Sequence, residues 1–267
     1  MKKIYVIAMV FLVAAVLALP GVAQSAMWVG GELGGNLIGN SNIDASVGAP
    51  SIPFTASATA NNVKWNNPAV IGGIILGYDF VNTGFGGYNY PSWMQYFSFA
   101  TDFTYNRNDI SSQTLHVSDI TVNGVNLGLG TVRVPLNTSV IGGGRLEGYM
   151  AAWTFLFMGH YGFFPDSEVP SGRLVPYVGI GPAILWSGIN AGKFGLGNAS
   201  STNVALVAEG GIRFMALKNV SLDAGFRYRY ATPEYSFSGN IGNTPFNANV
   251  STTINSFSFL FRANYHF

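Results

Sequence analysis

The chain has 267 residues, of which 13 are Lys or Arg and 12 are Asp or Glu; 9% are charged, 14% aromatic, 34 are Gly and none is Cys. A soluble domain carries about 25% charge, and the near-neutral balance provides no basic field to hold a nucleic acid. Without cysteine there is neither a disulfide framework nor a lipid-modified thiol anchor.

Residues 1–25 read as a cleaved export signal. Lys2 and Lys3 precede the apolar run Ile4–Leu19, Pro20-Gly21 breaks it, and Ala23-Gln24-Ser25 supplies the small residues of a cleavage site within 23–26. Removing the two lysines leaves 11 basic against 12 acidic residues, a net charge of −1. The run is shorter than the roughly 20 residues of a spanning helix. Residues 26–267 have a length that suits one domain.

Eight segments then alternate with a period of two, the signature of strands. Their charged residues are assigned to one face, toward a barrel lumen. Trp28–Leu37 turns Glu32 and Asn36 inward, Ala69–Phe80 turns Asp79 inward, and Trp93–Asn106 turns Asp102 inward. Arg145–Phe157 is expected to turn Arg145 and Glu147 inward, although its later half is apolar on both faces. Arg173–Trp186 places Gly179, Gly181 and Ala183 inside; Asn203–Met215 places Glu209 and Arg213 there; Val220–Tyr230 places Asp223, Arg227 and Arg229 there. In the last segment, Ser256–Phe267, Phe257, Phe259, Phe261, Tyr265 and Phe267 share one face and Arg262 lies on the other. Polar-in, apolar-out strands about 9–11 residues long are those of a transmembrane barrel.

The connections alternate too. Ile38–Pro68, Arg107–Gly144, Ser187–Thr202 and Ala231–Asn255 are long and rich in Asn, Ser, Thr and Gly; those between them are shorter. Long outer loops and short periplasmic turns are expected of such a barrel, with both termini periplasmic. Within the second long loop, Thr114–Val122 and Val132–Leu136 partly alternate, and would form an extra hairpin above the membrane or raise the strand count to ten. Gly148–Pro165 and Leu174–Gly192 hold no charge and so also admit a helical-membrane reading, against which stand Pro176, Pro182 and the lack of flanking Lys/Arg clusters.

Three stretches resemble the small OmpA-like outer-membrane barrels: the opening W-V-G-G-E-L-G-G, the segment L-V-P-Y-V-G-I-G-P-A-I-L-W of Leu174–Trp186, and the hairpin Ala208–Tyr230 ending in Y-R-Y. The final strand also resembles the terminal strand of outer-membrane barrels, in which a last aromatic and alternate aromatics before it are read by the barrel-assembly machinery; Phe261, Tyr265 and Phe267 stand in those places. The resemblance implies an all-β, closed, antiparallel meander in the outer membrane of a Gram-negative bacterium. Its implied partners are membrane lipid, lipopolysaccharide, the assembly machinery and an external or host ligand at the loops. Unlike the best-known members, the sequence shows no peptidoglycan-binding domain after the last strand.

The candidate site is the lumen itself: Glu32, Asp102, Glu147, Glu209 and Asp223 with Arg145, Arg213, Arg227, Arg229 and Arg262. An eight-stranded barrel has an interior just wide enough for side chains to fill, and buried charges must be paired, so these residues are expected to form a structural plug. Trp28, Tyr78, Trp93, Tyr177, Trp186, Tyr228, Tyr230 and Tyr265 are expected in interfacial girdles. His116, His160 and His266 fit no nucleophile motif or metal spacing. Neither an enzymatic activity nor a cofactor is expected. A small porin or transporter is the alternative to the structural or surface-interaction role, with a lipid-modifying enzyme last.

Overall fold

A computed structural model describes residues 27–49, 54–81, 89–110, 113–124, 130–134, 138–142, 146–191, 197–241 and 244–267. The export segment and Arg145 lie outside the described residues.

Eight strands close into an antiparallel barrel. They are β1 (Met27–Ile38), β4 (Ala69–Asp79), β5 (Phe97–Ile110), β9 (Leu146–His160), β10 (Leu174–Asn190), β11 (Asn198–Leu217), β12 (Val220–Ala231) and β15 (Ile254–His266). Each pairs with its neighbours in the chain, and β1 closes the ring on β15, with Glu32 opposite Arg262. The all-β, eight-stranded meander expected from the alternation and from the resemblance is thus the fold found. Strands β9 and β10 occupy the two uncharged segments that also read as helices. Among the described residues no helix is long and apolar enough to cross a membrane. Trp93–Tyr96 form part of a short 3-10 turn, Ser92–Tyr96, rather than the start of β5.

Alternation decides the two faces. Leu33, Val70, Val178, Val204 and Phe261 are each 63–74% exposed on the outer wall. Glu32, Ile71, Tyr177, Ala205 and Arg262, on the other face of the same strands, are buried. In water each such outward side chain would forfeit about 1.5–3 kcal/mol of burial, so a complete belt of them requires an apolar surround.

Three of the long connections are not loops. They contribute β2 (Ser41–Ala49), β3 (Phe54–Val63), β6 (Gln113–Gly124), β7 (Gly130–Val134), β8 (Thr138–Gly142), β13 (Glu234–Ile241) and β14 (Thr244–Thr252). These form a second sheet in the order β13-β14-β2-β3-β6-β7, with β8 also on β6. The sheet follows the rim of the barrel as a collar, so the extra pairing in the second connection belongs to this sheet and the barrel keeps eight strands. The fourth connection is shortened because β10 and β11 remain paired as far as Asn190 opposite Asn198. Inside the collar lies a small apolar core that includes Ala199, Tyr235, Phe237, Phe246 and Ala248.

Candidate functional site: the charged lumen

At mid-height the lumen holds a continuous ionic layer. Glu209 of β11 accepts from Arg227 Nε at 2.7 Å and from Arg262 Nη2 at 2.9 Å, with a further contact from Arg262 Nη1. Arg262 also donates through Nε to Glu32 at 2.8 Å. Arg227 donates Nη1 to Asp102 Oδ1 at 3.1 Å on the opposite wall. Tyr177 donates to Glu209 Oε1 at 3.1 Å and accepts from Arg262 Nη1 at 3.0 Å. Bonds between charged groups in a water-poor interior are the strong ones, and removal of one partner leaves a costly orphan.

Nearer the short-turn end a second group forms around Arg213. Its Nε donates to Asp223 at 3.2 Å, Asp79 lies 3.7 Å from its Nη1, and the guanidinium sits 4.4 Å from the ring centroid of Trp28. Trp28 Nε1 donates to Asp79 at 3.1 Å. The strand chemistry makes room for these large rings. A Cβ on Gly77 would fall 2.1 Å from the Trp28 ring, and one on Gly211 would fall 2.5 Å from the Tyr177 hydroxyl.

Glu32, Asp102, Glu209, Arg213, Asp223, Arg227, Arg229 and Arg262 are all buried on the inner face. Glu147 is not. On β9 the buried positions include Met150, Ala152, Leu156 and Met158, so position 147 has outward parity. There its half-exposed carboxylate pairs with Arg107 at 3.0 Å, at the collar end. Because β9 is apolar on both faces, its own alternation carried no sign. Trp28 and Tyr177, expected in the girdles, are instead 0% and 4% exposed inside the lumen. The signal was present in the sequence: Trp28 shares parity with Glu32, and Tyr177 with Gly179. Tyr230 and Tyr265 do face outward, as does Phe261, and Phe267 is partly exposed.

A serine–histidine contact occurs between Ser221 Oγ and His266 Nε2 at 3.1 Å. Ser221 is fully buried; its hydroxyl donates to Asp223 at 3.0 Å and accepts from Asn264 at 3.0 Å. That oxygen is thus held in a buried hydrogen-bond chain. Among the described residues no group of acidic and histidine side chains has the arrangement of a metal site.

A closed antiparallel barrel with an apolar outer wall and a polar, ionic interior defines a transmembrane β-barrel protein. No protein-family model matches the chain, and no curated protein does. Among solved structures it is similar to Neisserial surface protein A, at 16% identity over 90% of this chain and 97% of that one, with a TM-score of 0.41. It is also similar to the outer membrane protein OprG from Pseudomonas aeruginosa, at 11% identity over 93% of this chain and 100% of that one, with a TM-score of 0.46. A third similarity is to Ail, the attachment invasion locus protein of Yersinia pestis, at 10% identity over 88% and 99% of the two chains, with a TM-score of 0.34.

Proposed function

We propose that this protein is an integral outer-membrane barrel of a Gram-negative bacterium, closed to ion flow at mid-lumen, whose collar faces outward and makes surface contacts. The observation that carries the closed lumen is the layer in which Arg227 ties Glu209 on the adjacent strand to Asp102 on the far wall. Such a tie occupies the axis, and opening it would strand several charges away from water. The role for the collar rests on its position: hairpins that rise beyond the barrel are where contact with other molecules is possible. The reading is structural and non-enzymatic, with lipid, lipopolysaccharide and the assembly machinery as partners. The test is conductance of the purified barrel in a planar bilayer. A flat baseline is expected; sustained, reproducible current steps would replace this reading with that of a small porin.

A further inference from the structure

One lumen arginine stands outside the ionic layer. Arg229 is 1% exposed, and its Nε and Nη1 have no hydrogen-bond acceptor among the described residues. Its Nη2 donates to Thr104 Oγ1 at 3.3 Å, a neutral and long contact. Arg227 and Arg262, one level below, hold three carboxylates between them, those of Glu32, Asp102 and Glu209. The charge of Arg229 is therefore offset at longer range by the third carboxylate, but its N–H groups are not satisfied. An unmet donor on a buried ion is expensive.

Among the described residues, the unbonded groups around it are mostly donors, while the unbonded carboxylate oxygen Oε1 belongs to Glu32 in the layer below. Ser256, paired directly across β12–β15 with Arg229, has an unbonded hydroxyl, and Asn36 and Asn108 each have an unbonded amide nitrogen. Asn36 lies on β1, beside Ser258 of β15, and Asn108 lies higher on the same face of β5 as Thr104. Toward the collar buried hydrocarbon joins the lining: Ile38, Val63, Trp65, Ile110 and Ile254 are buried there beside the polar Ser41, Asn108 and Asp109, and the collar core of Tyr235 and Phe237 lies beyond.

We propose that Arg229 is the head-group site for an amphipathic carboxylate that enters from the collar end, with its chain held by the apolar layer above. The proposal rests on the ionic layer forming a closed floor beneath Arg229. A carboxylate is acceptor-only, which suits a cluster whose open groups are almost all donors, whereas an alcohol or amide would bring further donors. A charged acceptor also bonds guanidinium more strongly than a neutral one. The ligand would displace Trp65, whose Nε1 donates to Ser41 at 2.6 Å in the structure and which forms part of the roof.

The test uses the full chain refolded in lipid nanodiscs, titrated calorimetrically with decanoate, methyl decanoate or acetate against protein-free discs. Saturable decanoate binding is expected, weaker by about tenfold or more for the ester, for acetate and for Arg229→Gln. Arg229→Lys should recover part of the affinity. Equal binding of ester and carboxylate, or an unchanged Kd in Arg229→Gln, overturns the site. Because the ester and acetate comparisons use the native chain, they decide the matter even if Arg229→Gln does not fold. Acetate binding as tight as decanoate overturns the amphipathic ligand. Bilayer conductance is read separately: current steps together with selective decanoate binding would sink the closed lumen and still support the site.

Discussion

Arg227 on β12 and Asp102 on β5 are hydrogen-bonded across the barrel at 3.1 Å, although 125 positions separate them in the chain. Their strands are diametrically opposite in the ring, four steps apart in either direction. The contact is therefore a cross-brace, while Glu209–Arg227 and Glu32–Arg262 are bonds between neighbouring strands.

Glu209 joins the two arginines, so Glu209→Ala should be among the most damaging single changes. It removes an acceptor shared by Arg227 and Arg262, leaving them Asp102 and Glu32 respectively, and is expected to cost about 3–5 kcal/mol. Asn198→Ala, at an exposed strand end, should stay within about 0.5 kcal/mol. Urea unfolding in lipid vesicles measures both. Unchanged stability of Glu209→Ala, accompanied by a conducting pore, would mean that the charges line a path.

The cross-brace can be isolated by a double-mutant cycle. Asp102→Leu alone and Arg227→Met alone each leave buried charge without its full set of partners. The double variant should lose less than the sum of the two, with a coupling of about 0.5–3 kcal/mol. Strict additivity would show that the bond contributes nothing to stability.

Trp28 fits the lumen because position 77 has no side chain. Gly77→Ala is expected to push the indole from its place over Arg213 and to break its bond to Asp79, costing about 1–3 kcal/mol. A changed near-ultraviolet circular dichroism spectrum together with a lower unfolding midpoint would report it. A native spectrum would show that the ring has room to spare.

The turn between β9 and β10 should be sensitive to acid. Asp166 Oδ1 accepts from the Val169 amide at 2.7 Å and the Glu168 amide at 2.9 Å, and the Arg173 guanidinium bonds its other oxygen. The Val169 amide first, and then Arg173, hold its carboxyl below the ordinary aspartate value. A lowered folded value means that the contribution is present above the unfolded pKa, about 3.9, and is lost as pH falls through the lower one. Hydrogen exchange at the Val169 amide should accelerate across that window relative to unstructured amides, and Asp166→Asn should remove the pH dependence. Identical pH profiles for the native chain and the variant would count against the assignment.

Orientation is tested on cells. An epitope inserted near Asn126, between β6 and β7, should be labelled on intact cells, and one inserted in the turn at Lys218 should not. The reverse pattern would turn the collar inward.

The sequence by itself determined the strand period, the outward belt and the inner placement of most lumen charges. It did so because a strand places alternate residues on opposite faces, and an ionic residue marks the inner one. On that rule Glu32, Asp102, Glu209 and Arg262 were legible, and Trp28 and Tyr177 would have been had parity been weighed above their nearness to strand ends. Glu147 was not, because β9 is apolar on both sides, and only its pairing opposite Asp109 of β5 fixes its phase. Of the collar strands, β6 and β7 were foreshadowed by the partial alternation of Thr114–Val122 and Val132–Leu136, whereas β2, β3, β13 and β14 were hidden, since their Asn-, Ser- and Thr-rich segments are strands by pairing with one another. Which acid meets which arginine across the lumen, and that Arg229 meets none among the described residues, was decided only by closure of the ring. Closure brings opposite walls within reach of a side chain, a distance that no local pattern encodes.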